Sequence, residues 1–181
     1  LSRIAAICGG KFSGCDSEVR SVVTDSRSLS CELGCRPMFV AMRGANHDSH
    51  DFIAGMQSRG VRAFLVERGV EASSCTGECG FVQVDNAIEA LQRLAAYHRA
   101  QFRGTVVGIT GSNGKTVIKE WIAEELPEGM KYYRSPKSYN SQLGVPLSVL
   151  MLEGDEELAI FEAGISKPGE MERLASSAPT R

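Results

Sequence analysis

A compact apolar run, Thr-Val-Val-Gly-Ile at residues 105–109, leads directly into Thr-Gly-Ser-Asn-Gly-Lys-Thr at 110–116. The run is typical of a strand buried on both faces of a parallel sheet. The following segment, 116–126, has apolar residues at 117, 118, 121, 122 and 126, the spacing of an amphipathic helix. A glycine-rich turn between such elements exposes backbone N–H groups at the positive end of the helix dipole. The sequence therefore predicts a strand–loop–helix unit that binds phosphate.

Two side chains of this loop suit phosphate chemistry. Lys115 is long enough to reach the terminal phosphates of a nucleotide, and the Thr116 hydroxyl is a ligand for magnesium. The glycines lie at 108, 111 and 114, and Ile109 stands where the pattern G-x-x-x-x-G-K-[ST] requires glycine. A glycine-rich structural turn is the alternative interpretation. The strand before the loop and the helix after it favour phosphate binding.

A second metal ligand is predicted in Leu-Ala-Ile-Phe-Glu-Ala-Gly at 158–164, where apolar residues flank Glu162 and glycine follows. A carboxylate at the carboxyl end of a buried strand lies where α/β sheets bind their ligands. The alternative is a glutamate on an exposed strand face. We favour a role for Glu162 in holding the metal.

The first hundred residues alternate strand-like and helix-like segments. Strands are predicted at 19–25, 37–42, 62–67 and 81–84 because these segments are short and rich in β-branched or aromatic residues. Helices are predicted at 48–60, which ends at a glycine, and at 86–102, which carries an apolar stripe. We therefore predict a small N-terminal α/β domain over residues 1–103.

Residues 104–181 are predicted to begin a parallel-sheet domain of the P-loop type. Further strands are expected at 131–135 and 158–163, and a helix at 169–177. Three strands are fewer than the roughly 5–6 of an average sheet, so we expect this domain to be cut short. The chain also begins at Leu1 and not at Met, which suggests a fragment.

The composition excludes several classes of partner. With a net charge of -2 and 23% charged residues, the chain has no surplus of positive charge for a nucleic acid or an acidic membrane. It has no apolar run near the ~20 residues that span a bilayer, and no signal-peptide pattern. A cytoplasmic location is the resulting expectation.

All 6 cysteines lie within the first eighty residues, in part as two Cys-x-x-x-Cys pairs. A zinc site is one interpretation, although the histidine spacing usual in structural zinc sites is missing. The phosphate loop indicates a reducing compartment, where disulfides are rare. Ordinary reduced thiols are therefore favoured.

Several segments resemble a known family. Gly-Ile-Thr-Gly-Ser-Asn-Gly-Lys-Thr at 108–116 is similar to the ATP loop of the Mur ligases and their folylpolyglutamate synthetase relatives, which share this glycine spacing. The segments 138–150, with Asn-x-x-x-Gly-Val-Pro, and 161–174, with Glu-Ala-Gly, resemble later blocks of the same family. Upstream, Asp-Ser-Arg within 24–30 and Phe-Val-Ala within 38–53 resemble blocks of its nucleotide-sugar domain.

The resemblance implies an ATP-dependent amide ligase of peptidoglycan precursor synthesis. Such enzymes phosphorylate a substrate carboxylate and then let an amine attack the acyl phosphate. The Gly-Val-Pro and Glu-Ala-Gly segments favour the member that joins D-alanyl-D-alanine to UDP-N-acetylmuramoyl-tripeptide. Within that group the sequence looks most like the form fused to alanine racemase.

Roles for individual residues follow from the same resemblance, with ATP and Mg²⁺ as the implied cofactors. Lys115 and Glu162 would be the catalytic residues, and Thr116 and Glu162 would hold the magnesium. Backbone contacts to the phosphates would come from Gly111, Ser112, Asn113 and Gly114.

The substrate-binding residues implied by the resemblance are less specific. The uridine end of the nucleotide sugar would contact Ser26, Arg27, Asn46 and His47, with a solvated turn or loop as the alternative. Asn140 would contact substrate or order its own loop. His50 and His98 are expected to be structural.

The sequence also departs from the family pattern. Leu-Gly-Cys-Arg-Pro-Met at 33–38 replaces the usual Pro-Gly-Asp turn, and the expected magnesium histidine would lie beyond Arg181. We therefore expect residues 1–181 alone to be inactive. The alternatives are a Mur-type ligase of the tripeptide-forming step, a P-loop small-molecule kinase, and a nucleotide-dependent binding module.

Overall fold

The computed structural model describes residues 1–28, 36–44, 47–68, 78–137 and 139–164. The chain divides into two compact units, Leu1–Ala90 and Leu91–Arg181. Each unit contains helices and a largely or wholly parallel sheet, which confirms the predicted α/β class. No helix in these described ranges is long and apolar enough to cross a membrane.

The first unit is built on a five-stranded sheet of order β1-β5-β4-β3-β2. Neighbouring strands from β2 to β5 are parallel, and β1 is antiparallel to β5. The elements are α1 (Ser2–Cys8), β1 (Lys11–Gly14), β2 (Ser21–Val23), β3 (Pro37–Val40), a 3₁₀ helix (Ser49–Phe52), α2 (Ile53–Ser58), β4 (Ala63–Glu67) and β5 (Gly80–Val84).

Aromatic side chains from neighbouring strands fill the core of this unit. Phe39, Phe64 and Phe81 are all buried, and the rings of Phe64 and Phe81 stack with their centroids 5.2 Å apart. Their positions at equivalent points of adjacent strands follow from the parallel register, which pairs Phe39 with Phe64 and Phe64 with Phe81. The four predicted strands of this unit are therefore all present. The sequence analysis missed α1 and β1.

Helix α3 (Ala87–Arg99) contains the division between the two units, since Ala90 belongs to the first and Leu91 to the second. The sequence analysis instead assigned the whole helix to the domain 1–103. The functional limits of the domains stay a prediction.

The second unit has a parallel sheet of order β6-β8-β7 within the described residues. Its elements after α3 are β6 (Thr105–Thr110), α4 (Lys115–Glu124), β7 (Tyr132–Arg134), α5 (Gly144–Val149) and β8 (Leu158–Ala163). The three strands correspond to those predicted. Helix α5 was not predicted, and the helix predicted at 169–177 lies outside the described residues.

Helix α4 turns a different face to the sheet than its apolar residues indicated. Val117, Ile118 and Trp121 are exposed, Trp121 by 64%. The buried positions are Lys119 and Ala123. Ile122 and Leu126 are partly buried against the sheet residues Ile109, Leu158 and Ile160. The predicted helix is thus present. The apolar residues at 117, 118 and 121 do not mark its buried face.

Candidate functional site

The glycine-rich loop between β6 and α4 depends on two residues with positive φ. Gly111 has φ 145° and Gly114 has φ 78°, in the region that favours glycine. A Cβ on Gly114 would meet no atom within 4 Å, so glycine is needed there for its backbone conformation and not for space. Gly114 also forms the N-cap of α4. The loop therefore brings the N-terminal amides of the helix to the carboxyl end of the sheet.

The Lys115 side chain bends back and contacts the backbone of this loop. It is the first residue of α4, and its Nζ donates to the Gly111 carbonyl at 2.7 Å. Gly111, Ser112, Asn113 and Gly114 are all exposed. The loop thus presents its ammonium group and its backbone together on the surface.

Thr116 and Glu162 meet beside the loop. The Thr116 Oγ1 donates to Glu162 Oε2 at 3.1 Å. Glu162 is fully buried in β8, and the parallel register sets it opposite Ile109, close to the end of β6. Strand pairing therefore brings together two residues that are 46 positions apart in the chain.

Lys119 contacts the other oxygen of the same carboxylate. Its ammonium is fully buried and lies 2.7 Å from Glu162 Oε1. It also donates to the carbonyls of Ser135 and Lys137, at 2.7 Å each. The contact with Glu162 is an ion pair without hydrogen-bond alignment, so Oε1 has a charged neighbour but no aligned donor.

This donor set fits a magnesium ion. Carboxylate and hydroxyl oxygens are ligands that Mg²⁺ accepts, usually with several waters or phosphate oxygens completing its shell. Thr116 Oγ1 and Glu162 Oε2, the two oxygens that would hold such an ion, are neighbours at 3.1 Å.

Asn140 lies next to the same end of β8. Its carbonyl accepts the N–H of Gly164 at 2.7 Å. A Cβ on Gly164 would lie 3.2 Å from Asn140 Cγ, so the asparagine side chain packs on the chain just after Glu162. The structure thus places Asn140 against Gly164, two residues after Glu162 in the chain. Its role in substrate contact stays a prediction.

The predicted sugar-binding residues follow two adjacent parallel strands of the first unit. Ser26 and Arg27 come after β2, and His47 comes after β3 and is exposed. The carboxyl ends of parallel strands share one sheet edge, where α/β proteins bind ligands. Asn46 lies outside the described residues. The sugar-binding roles stay predictions.

Arg27 already has a carboxylate partner. Its Nε and Nη2 donate to the two oxygens of Asp25, at 3.0 and 2.9 Å. Hydrogen bonds from the Arg27 side chain and then from its backbone N–H lower the pKa of the Asp25 carboxyl from 3.8 to about 2. The Ser26 carbonyl accepts from Arg59. Arg27 and Asp25 thus pair within this turn, and Arg59 contacts its backbone.

The two histidines expected to be structural have partners that suit such a role. The His50 Nδ1 donates to Asp48, and its Nε2 accepts the Glu67 N–H at 3.0 Å, which holds the ring between two segments. The His98 Nε2 donates to the Leu152 carbonyl at 2.9 Å.

Zinc coordination by cysteine finds no support among the residues that the structure describes. They contain no group of three or more His, Cys, Asp or Glu side chains suited to a metal. Cys8 and Cys79 are buried and Cys15 is exposed, without a disulfide among these three. Cys31, Cys35 and Cys75 lie outside the described residues.

Lys119 is the residue of this site that the sequence analysis missed. A usable signal was present: Lys119 follows Thr116 by three positions and Lys115 by four, which puts all three on one helix face. Its position on the helix face of Thr116 was therefore a signal that Lys119 lies near the same carboxylate as Thr116.

Comparison with known proteins gives a consistent set of relatives. Residues 109–180 match the Mur ligase middle domain. The chain is 31% identical to the UDP-N-acetylmuramoyl-tripeptide--D-alanyl-D-alanine ligase of Bacillus subtilis, over 87% of this chain and 33% of that protein. The enzyme of the same name from Escherichia coli is 33% identical, over 94% of this chain and 36% of its own length.

Solved structures of MurF proteins are also similar to this chain. A crystal structure of MurF from Acinetobacter baumannii superposes with a TM-score of 0.85 at 27% identity, covering 99% of this chain and 38% of that one. MurF ligase from Thermotoga maritima, in complex with ADP, gives 0.75 at 32% identity, covering 90% and 36%. The chain thus spans about a third of the length of the relatives that it matches.

Proposed function

We infer that this chain belongs to the Mur ligases, and we propose that it serves an ATP-dependent ligase that joins D-alanyl-D-alanine to UDP-N-acetylmuramoyl-tripeptide. The observation that carries the proposal is the convergence of Lys115, Thr116 and Glu162 at one end of the second sheet. The names of the relatives supply the substrates. The ligases of the tripeptide-forming step and the small-molecule kinases have no such support in the relatives described above.

The loop would bind the phosphates of ATP. Its exposed backbone at 111–114 supplies N–H groups, and the helix dipole adds partial positive charge. On binding ATP, the Lys115 ammonium would exchange the Gly111 carbonyl for the β- and γ-phosphate oxygens. That exchange is favoured because a phosphate oxygen carries more negative charge than a carbonyl.

Thr116 and Glu162 would hold Mg²⁺ next to these phosphates. When bound, this ion neutralises negative charge on the transferring phosphoryl group. A carboxylate oxygen of the UDP-linked substrate then attacks the γ-phosphorus, and ADP leaves. The amine of D-alanyl-D-alanine attacks the acyl carbon of this acyl phosphate and loses a proton as inorganic phosphate departs.

The first unit would bind the nucleotide sugar at the sheet edge that follows β2 and β3. Arg27, held in place by Asp25, and His47 offer donors to the uridine or diphosphate. Asn46 would add to this set. We further propose that the enzyme works in the cytoplasm. Fusion to alanine racemase stays a prediction that the complete reading frame tests.

The deciding experiment measures phosphate release by the intact protein that contains this chain. We expect release only when ATP, Mg²⁺, UDP-N-acetylmuramoyl-tripeptide and D-alanyl-D-alanine are all present, with one amide product per phosphate. Reactions that omit one substrate are the controls. A stable phosphorylated product formed without the dipeptide would identify a kinase, and activity with a free amino acid and a shorter UDP-peptide would identify the tripeptide-forming step.

A further inference from the structure

The buried ammonium of Lys119 joins three parts of the second unit. A lysine side chain has three N–H donors. In Lys119, two of them serve the Ser135 and Lys137 carbonyls beyond the end of β7, and the ammonium also lies against Glu162 of β8. Because Lys119 is part of α4, this single group connects the helix of the phosphate loop to both neighbouring segments.

The two oxygens of Glu162 face different partners. Oε1 lies against Lys119 at 2.7 Å, and Oε2 accepts from Thr116 at 3.1 Å. Contact with Lys119 thus restricts rotation of the carboxylate and leaves Oε2 on the side of the loop. A fully buried carboxylate is also costly without a charged partner, and Lys119 is such a partner.

We propose that Lys119 is a positioning residue. It orients the Glu162 carboxylate towards the magnesium ion and holds that carboxylate beside the phosphate loop. This inference rests on the proposed function, since it assigns Glu162 to the metal. Lys119 contacts neither ATP nor substrate in this role. It acts on the ion through Glu162, as residues around a ligating carboxylate commonly do.

The positive charge of Lys119 has an opposing effect on metal binding. A cation beside a carboxylate reduces the negative charge available to Mg²⁺, so removal of Lys119 would strengthen metal binding if charge alone mattered. However, the Lys119 ammonium also bonds two carbonyls and lies 3.6 Å from Glu120 Oε1, so Glu162 is not its sole partner among the described residues. Loss of the lysine would leave both carbonyls without this donor and free the segment 135–137 to move. In a Lys119 variant we therefore expect the lost orientation of the Glu162 carboxylate to weaken metal binding more than the lost positive charge strengthens it.

The test uses the intact protein and Mn²⁺ as a paramagnetic substitute for Mg²⁺. Binding of Mn²⁺ in the presence of saturating ADP is followed by electron paramagnetic resonance. We expect Lys119→Met, which keeps the apolar stem and removes the ammonium, to weaken Mn²⁺ binding by about tenfold or more. Calorimetry of ADP in EDTA should show less than about a twofold change, because the phosphate loop itself is intact.

Lys131→Met is the matched control. Lys131 also forms an ion pair, with Asp155, but its side chain is 65% exposed. This variant should bind Mn²⁺ and ADP as the wild type does. If Lys119→Met fails to fold, as judged by circular dichroism, Lys119→Gln replaces it, since glutamine is neutral but keeps a donor for the carbonyls. Its Mn²⁺ binding should also weaken by about tenfold.

Three results would overturn the inference. Unchanged or tighter Mn²⁺ binding in a folded Lys119 variant would show that the lysine does not position the metal carboxylate. An equal loss of ADP affinity in EDTA would show that Lys119 supports the loop in general. If the wild-type protein binds neither ADP nor Mn²⁺, the proposed function fails as well, which separates the two failures.

Discussion

Lys115 is half-buried, and its side chain bonds within its own loop. Its ammonium donates to the Gly111 carbonyl of the loop, and the lysine contributes little to the core. We expect Lys115→Ala in the intact protein to lower the ligation rate by about 10²-fold or more, because the variant loses the positive charge that would stabilise the transferring phosphoryl group. The melting temperature should stay close to that of the wild type. Product formation at near wild-type rate would contradict the role of Lys115 in phosphate binding.

Arg27 is exposed, with 88% of its side chain accessible, but its guanidinium is oriented by Asp25. If this turn binds the nucleotide sugar, Arg27→Ala should weaken binding of UDP-N-acetylmuramoyl-tripeptide by about tenfold, the usual effect of losing one hydrogen bond to a charged group. Calorimetry on the intact protein measures this affinity. Arg20→Ala, which removes an exposed ion pair with Glu18, is the control and should bind normally. Equal affinities for both variants would place the sugar elsewhere.

Asp25 gives a pH-dependent prediction for the same turn. Hydrogen bonds from Arg27 lower its pKa from 3.8 to about 2. A lowered carboxyl pKa stabilises the fold above the unfolded value, so this contribution is complete above pH 3.8 and is lost as the pH falls towards 2. Carbon-13 NMR should find the Asp25 carboxyl titrating near 2 in the wild type and closer to 3.8 in Arg27→Ala. The same midpoint in both proteins would show that Arg27 does not hold the carboxylate in solution.

At the scale of elements, the start of α5 depends on close backbone contact. A Cβ on Gly144 would lie 2.9 Å from the Tyr139 Cα and 3.0 Å from its carbonyl carbon. These are backbone atoms, so the chain and not a flexible side chain would have to move. The segment 139–144 includes Asn140, which packs against Gly164, so the effect of a shift would extend to the end of β8.

We therefore expect Gly144→Ala to destabilise the protein by about 1–3 kcal/mol, the usual cost of overpacking. Gly55→Ala is the matched control, because Gly55 lies within α2 and a Cβ there would meet nothing within 4 Å. Alanine is the better helix former, so this variant should be neutral or more stable by up to about 1 kcal/mol. Urea denaturation measures both. Equal stability of the two variants would contradict the close contact at Gly144.

The elements also divide into those that local sequence predicts and those that it does not. The strands β2 to β8 follow from apolar and β-branched runs, and the phosphate loop follows from its glycines. The short α1, β1 and α5 were missed. Helix α1 has 7 residues and no side-chain cap, and β1 is mostly exposed, so neither carries a local signal.

At the scale of the whole molecule, an apolar surface remains on α4. Val117 and Ile118 are adjacent in sequence, Trp121 follows Ile118 by three positions, and the three residues are 50%, 44% and 64% exposed. Exposed apolar groups of this kind favour association. The 181 residues also span about a third of the relatives' length, so most of what those relatives carry has no counterpart in them.

The isolated 181-residue chain should therefore show no ligase activity and should self-associate. Dipeptide-dependent phosphate release measures the activity, and light scattering measures the association. Trp121→Lys should shift the distribution towards monomer, while Phe52→Lys, at a 47% exposed residue of the first unit, serves as the control. A monodisperse monomer in the unmutated chain would contradict the expected association, and dipeptide-dependent phosphate release would contradict the expected inactivity.

The sequence by itself determined the local features of this protein. Positive φ at Gly111 and Gly114, the strand and the helix that flank the loop, and the order of Lys115 and Thr116 all depend on residues close together in the chain. Only the tertiary structure decided which oxygens and cations meet. Burial of Lys119 requires the carbonyls of Ser135 and Lys137 and the carboxylate of Glu162, and strand pairing brings these groups to one point. Local periodicity does not predict such contacts, because the partner that stabilises a buried charge comes from another segment of the fold.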